Sequence, residues 1–256
     1  GALIDGPLPL DPRDRGLLLG DGIFETILVA EGQPVWLGRH LARMREAASE
    51  LGIGFDEGRI AGAVAAVLGP IETASLRLTL TRGVSLGGDS NLLVTLTAID
   101  KETQFQPVRL VTSPIRRNET APSSRFKTLS YADSIAAARD ATDRRADDAL
   151  MLNTAGFVAS TAIANIFLLQ SGTLVTPSLG QGILPGITRS MVLGLAPSLG
   201  LGASERPVGP NELPAADAVF ITNSLRLVRP VTVLDGRPLE QNSSSTVRAI
   251  FDALRN

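Results

Sequence analysis

No charged side chain occurs between Ala149 and Thr188. An uncharged stretch of that length has two natural homes, lipid or the interior of a protein. Asn, Ser, Thr, Gln, Gly and Pro interrupt it at short intervals, so it does not read as a membrane span. Its apolar runs, together with the one that begins at Asp148, have the length of strands: 148–152, 164–169 and 173–176.

With 256 residues, 44% of them apolar, the chain can bury a large core in one big domain or two small ones. A formal net charge of -2 offers no electrostatic footprint for nucleic acid or an anionic membrane. Cysteine is absent, which excludes disulfides, thiolate metal sites and a cysteine nucleophile. One histidine, His40, rules out a multi-histidine metal centre, so no metal is expected. No basic segment followed by an apolar one marks a secretory signal at the start, and a soluble cytoplasmic protein is expected.

The first hundred residues read as mixed strand and helix. A strand at 23–29 turns at Glu31-Gly32 into a short second strand through Val35 and Trp36. A helix over 38–51 follows, with Leu37, Leu41, Met44, Ala48 and Leu51 on one face. Then come a helix at 57–68 and strands at 76–81 and 92–98. Residues 100–106 are polar and form the best linker. Beyond them the pattern gives a strand at 108–112, a polar loop at 116–124, and a helix at 131–145. After the uncharged strands come a helix at 188–196, strands at 217–222 and 230–234, and a helix at 243–254. Strand and helix do not alternate regularly, so two α+β domains, 1–102 and 107–256, fit better than a doubly wound sheet.

Of the 24 Lys and Arg residues only Lys101 and Lys127 are lysines. Lys101 lies in a polar stretch that reads as solvated loop. Lys127 sits in Phe126-Lys127-Thr128-Leu129-Ser130-Tyr131, where water is scarce. An arginine cannot form a Schiff base at neutral pH, whereas a desolvated lysine amine can. The bland alternative is a lysine that snorkels its head to water. The segment from Gly182 to Arg189, Gly-Ile-Leu-Pro-Gly-Ile-Thr-Arg, is a glycine-bounded turn feeding a helix. Free backbone N–H groups and the Thr188 hydroxyl there suit a phosphate, although an ordinary helix entry capped by Thr188 is the plainer reading. Arg43 stands three residues after His40 on one helix face and suits either a phosphate clamp or a solvated surface. His40 reads as a structural histidine.

These pieces together resemble the fold type IV pyridoxal-phosphate enzymes, which include D-amino-acid and branched-chain aminotransferases and 4-amino-4-deoxychorismate lyase. The similarity runs in order through Asp14-Arg15-Gly16, Gly20-Asp21-Gly22-Ile23-Phe24-Glu25-Thr26, His40-Leu41-Ala42-Arg43, Thr81-Arg82-Gly83 and the Lys127 segment. It continues through 146–152, Asn165-Ile166-Phe167, Gly186-Ile187-Thr188-Arg189 and Phe220-Ile221-Thr222-Asn223-Ser224. The resemblance implies a two-domain α+β fold, pyridoxal 5'-phosphate as cofactor, a small-molecule amine substrate and a homodimer. It implies that Lys127 holds the cofactor as a Schiff base, and that Arg43, Ile187, Thr188 and Ser224 bind its phosphate. One departure stands out. Members of the family carry a glutamate, paired with the protonated ring nitrogen, where this chain has Ser160.

A hydroxyl in that place makes the cofactor a weaker electron sink. A lyase that forms an aromatic ring tolerates this better than a transaminase does. The segment from Thr222 to Val231 also looks more like the lyase's version. The expected reaction is therefore conversion of 4-amino-4-deoxychorismate to 4-aminobenzoate and pyruvate. The alternatives are a transaminase for D-amino or branched-chain amino acids, and a non-catalytic protein that binds the cofactor or a phosphorylated metabolite.

Overall fold

The computed structural model describes residue 6 and residues 9–100, 104–239 and 243–255. Lys101 and part of the expected linker lie outside them. The chain divides into two compact units, one of Gly1–Lys101 with Phe126–Tyr131, the other of Glu102–Arg125 with Ala132–Asn256.

The first unit begins with a short helix, α1 (Arg15–Leu19), whose start is capped by the Asp14 carboxylate accepting from the Gly16 N–H at 2.7 Å. Strand β1 (Gly22–Ala30) turns through Glu31 and Gly32, both at positive φ, into β2 (Gln33–Pro34). The second strand is thus shorter and earlier than expected. Trp36 is instead a left-handed residue (φ 54°) that starts helix α2 (Leu37–Leu51). Helix α3 (Glu57–Val67) and strands β3 (Thr73–Thr81) and β4 (Asn91–Ala98) complete the unit. Its four strands form an antiparallel sheet ordered β2-β1-β3-β4. Side chains alternate between sheet faces. Ile23, Ile27 and Val29 of β1, with Leu76, Leu78 and Leu80 of β3, pack under Leu41, Met44 and Ala48 of α2 and Ile60 and Val64 of α3. Glu25 sits in the middle of this apolar face; Phe24 and Arg77 point to the other.

Phe126–Tyr131 joins this unit through main-chain bonds to the start of β1. Phe24 N–H donates to Lys127 O and Leu129 N–H to Gly22 O, both at 2.9 Å, around an Ile23–Thr128 bridge.

The second unit contains β5 (Val108–Thr112), α4 (Pro122–Arg125), α5 (Ala132–Asp143), β6 (Asp148–Leu152), β7 (Val158–Thr161), β8 (Asn165–Gln170) and β9 (Thr173–Pro177). It continues with α6 (Ile187–Leu195), β10 (Gly202–Arg206), β11 (Ala218–Asn223), β12 (Leu227–Leu234), β13 (Arg237–Pro238) and α7 (Ser244–Arg255). Among the described residues the sheet runs β10-β9-β8-β11-β12-β5-β6-β7, with β13 on β12. One core takes Val108, Leu110, Leu150 and Val158 from one end of that order and Ile166, Leu168, Val175 and Val219 from the other, so the sheet curls around it. The uncharged stretch supplies β6 (after Asp148) through β9, of which β6, β7 and nearly all of β8 and β9 are buried. No described helix is long and apolar enough to cross a membrane.

Candidate active site

In the first unit a carboxylate lies where only hydrocarbon is expected. Glu25 is 1% exposed. Burying an ion costs several kcal/mol unless it is paired and hydrogen-bonded, and α2 supplies both partners. Arg43 donates from Nε to Glu25 Oε1 at 2.8 Å and from Nη2 to Oε2 at 2.6 Å. His40 Nδ1 meets Oε2 at 2.7 Å. Burial alone would raise the Glu25 carboxyl, but the charge of Arg43 and the hydrogen bonds from His40 and Arg43 outweigh it and hold it down at about 2. The expectation of a structural histidine is half met: Nδ1 is satisfied, while Nε2 is buried without a hydrogen-bond partner. Arg43 is neither a solvated surface residue nor loosely held. Its side chain is 10% exposed and its plane is fixed by Glu25.

On the opposite face of the sheet, Lys127 Nζ lies 4.1 Å from the centroid of the Phe24 ring and 5.6 Å from that of Tyr131. The two rings meet edge to face at 5.5 Å. Arg77 sits on the same Phe24 ring, its guanidinium carbon 3.9 Å from the centroid. Nε of Arg77 donates to Thr79 Oγ1 at 3.2 Å, and no carboxylate pairs with Arg77 among the described residues. Burial lowers the pKa of this guanidinium, with Tyr131 acting in the other direction. An amine and a guanidinium thus share one aromatic ring, each drawn to its face. Arg82 is excluded from such work, since Asp21 and the carbonyls of Leu51 and Gly52 take its N–H groups. Arg116 is exposed.

In the second unit, helix α6 starts at Ile187 with Gly186 as its N-cap and no side chain capping it. Thr188 is therefore the second helical residue and not the cap. The N–H groups of the first turn have no intrahelical acceptor. The Thr188 hydroxyl beside them is 2% exposed and has no partner. Asn165 on β8 shapes the entry: Nδ2 donates to Leu184 O at 3.0 Å, and Oδ1 fills the space that a Cβ at residue 186 would need. Thr222, opposite Asn165 on β11, carries a second buried hydroxyl without a partner. Ser224 follows at the end of that strand, half-buried. Unpaired N–H groups, the positive end of a helix and orphaned hydroxyls together suit a phosphate.

Ser160 lies on β7, 5% exposed. Its Oγ donates to Thr161 O at 2.8 Å and accepts from Arg117 Nε at 3.3 Å. Arg117 Nη2 also reaches Ser134 Oγ at 3.2 Å and Thr161 O at 3.4 Å. Sequence reasoning passed over Arg117, one of two adjacent arginines in a polar loop, because only the fold separates it from its exposed neighbour. It also passed over Asp148, just outside the uncharged stretch. That buried carboxyl accepts from the N–H groups of Ala149 and Ala162, and burial pushes its pKa up.

Residues 22–234 match the family model for class IV amino-transferases. The chain belongs to the class IV aminotransferase family. It is 33% identical over 236 residues to a Methanocaldococcus jannaschii protein provisionally named a branched-chain-amino-acid aminotransferase, covering 88% of this chain and 82% of that one. Its identity to the aminodeoxychorismate lyase of Bacillus subtilis is 30%, with the same coverage of 88% and 82%. Among solved structures it is similar to a fold IV transaminase from Curtobacterium pusillum, with a TM-score of 0.89, 30% identity, and 100% and 93% of the two chains covered. The fold is the two-sheet α+β architecture of fold type IV, and the chain is a pyridoxal-phosphate-dependent enzyme that acts on small amino compounds.

The phosphate end of that cofactor fits the orphaned Thr188 hydroxyl and the glycine-tight turn at the start of α6. When bound, it supplies an aldehyde that captures amines and a ring that accepts electrons.

Proposed function

We propose that this enzyme is a lyase that converts 4-amino-4-deoxychorismate to 4-aminobenzoate and pyruvate. The observation that carries this reading is the neutral Ser160 hydroxyl, held by Arg117, at the position where the resemblance calls for an acid. A weaker electron sink is better tolerated when the product is an aromatic ring. The likeness to the Bacillus subtilis lyase is further support. Lys127 anchors the cofactor's aldehyde. The Lys127 amine would also serve as the base that takes the proton from the amine-bearing carbon of the substrate. Arg43, Ile187, Thr188 and Ser224 would hold the cofactor's phosphate, and Ser160 would offer its ring nitrogen a neutral hydroxyl. Arg77, which pairs with no carboxylate among the described residues, would receive a carboxylate of the substrate.

The second reading is a transaminase for branched-chain or D-amino acids, favoured by the 33% identity to the archaeal protein. Incubation with aminodeoxychorismate, and separately with D-alanine or a branched-chain amino acid plus 2-oxoglutarate, separates the two. Aminobenzoate released without any keto acid supports the lyase; amino transfer to the keto acid without aminobenzoate overturns it. A bound cofactor that responds to neither substrate mixture overturns both readings. The Lys127→Ala variant is expected to lose the absorption band of the covalently held cofactor. We further propose a homodimer and a cytoplasmic location.

A further inference from the structure

We propose that Thr222, a residue to which the resemblance gives no role, donates its hydroxyl to the phosphate seated at the start of α6, a proposal that rests on that phosphate seat and not on which reaction follows.

The side chains of β8 and β11 alternate between two faces of the sheet. Ile166, Leu168, Val219 and Ile221 enter the core around which the sheet curls. Asn165 and Phe167 take the other face, as do their register partners Thr222 and Phe220. The start of α6 lies on this second face, since the Asn165 carboxamide bonds the Leu184 carbonyl and fills the space beside Gly186. Thr222, directly opposite Asn165, therefore carries its hydroxyl on the side of the sheet that holds the uncapped first turn of α6. One rung deeper, Phe167 and Phe220 stack with centroids 5.1 Å apart and give that hydroxyl a dry floor.

A buried threonine ordinarily finds a carbonyl. In this unit Thr176 Oγ1 donates to Ile166 O at 2.8 Å, and Thr161 Oγ1 to Ala164 O at 3.3 Å. Thr222 is 2% exposed and finds none, and the Asn165 carboxamide opposite does not pair with it. Thr188, in the first turn of α6, is orphaned in the same way. A buried donor left open destabilises the protein until something accepts from it. An anion in front of α6 is such an acceptor. A hydrogen bond to a charged oxygen in a dry site is also stronger than one between neutral groups. The empty protein carries the cost of this hydroxyl, and binding removes it.

Thr222→Val keeps the side chain's shape and removes its donor. In the full chain without cofactor this variant is expected to melt at or above the wild-type temperature, because a methyl group replaces a buried orphan. Equilibrium dialysis is expected to show a loss of affinity for pyridoxal 5'-phosphate of about tenfold or more. Affinity for unphosphorylated pyridoxal is expected to change little, and Thr222→Ser to recover the preference for the phosphorylated ligand. A Thr222→Val protein that binds pyridoxal 5'-phosphate as tightly as wild type, or loses both ligands equally, overturns the inference and leaves the phosphate seat standing. A wild-type chain that holds pyridoxal 5'-phosphate no better than pyridoxal overturns the seat and the inference together. Should Thr222→Val fail to fold, Thr222→Ala decides by the same comparison of the two ligands.

Discussion

Two buried carboxyl groups, Glu25 and Asp148, are pushed in opposite directions by their surroundings. Glu25 has the Arg43 guanidinium and the His40 ring as hydrogen-bond partners and is held at about 2, below its ordinary 4.5. Its unfolded form therefore binds a proton before its folded form does. The stability it confers is complete above its ordinary value and is lost as pH falls toward about 2. The shift corresponds to about 3 kcal/mol. Glu25→Gln leaves Arg43 buried without its counter-charge, and denaturant unfolding at neutral pH is expected to show a loss of about 3 kcal/mol. Asp148 behaves the other way: burial raises its folded pKa, so ionisation at neutral pH is a penalty relieved as pH falls through that raised value. Asp148→Asn is expected to unfold at the same or higher denaturant concentration at neutral pH, and to lose that part of the pH dependence. A clear destabilisation would show that the carboxylate's bonds to Ala149 and Ala162 outweigh its desolvation.

The elements that the sequence reveals are those with one buried stripe or an unbroken apolar run. Helix α2 runs Leu37–Leu51 against an expected 38–51, and β5 and β6 coincide with the expected 108–112 and 148–152. The helix α1, with three exposed leucines and no buried residue, has no stripe to find. Strand β10, Gly-Ala-Ser-Glu-Arg, is almost fully solvated and exists because it pairs in parallel with β9. Strand β7 is too short, and too mixed in character, for any period to emerge. At the site, the Lys127 segment, Arg43 and the turn before α6 were legible as residue types in a suitable setting. What was not legible is what each is tied to: Glu25 on Arg43, Phe24 and Arg77 beside Lys127, Asn165 against Gly186, and Arg117 on Ser160. Those ties are tertiary, made between strands and helices far apart in the chain. The start of α6 also carries a prediction of its own. In Gly186→Ala the added Cβ collides with the Asn165 carboxamide, so the turn must shift. The variant is expected to bind pyridoxal 5'-phosphate at least tenfold more weakly while its affinity for unphosphorylated pyridoxal is little changed. Titration of the absorption band with each ligand would check this. Equal losses for both would mean that the turn does not hold the phosphate.

At the scale of the molecule, the two units are not two consecutive lengths of chain. Residues 126–131 pair with β1 of the first unit while the residues on either side of them belong to the second. A fragment ending at residue 101 would leave the start of β1 without its bonds to Lys127 and Leu129, and Phe24 without Tyr131. Thermal unfolding should therefore find the 1–101 fragment markedly less stable than the same fragment supplied with a peptide of residues 124–133. Identical melting with and without the peptide would show that the strip is dispensable to the unit. Cofactor should raise the melting temperature of the whole chain, since it binds only the native form.

The interleaving has a consequence during synthesis. A ribosome releases chain from the amino end, and a unit built from consecutive residues can close as soon as its last residue emerges. This first unit must wait, with the start of β1 unsealed, until translation has passed residue 131 and Lys127 has been delivered to it. If Lys127 has its proposed role, the nucleophile and the completion of the sheet arrive on the same six residues, and a newly made chain has no sealed first unit that lacks it.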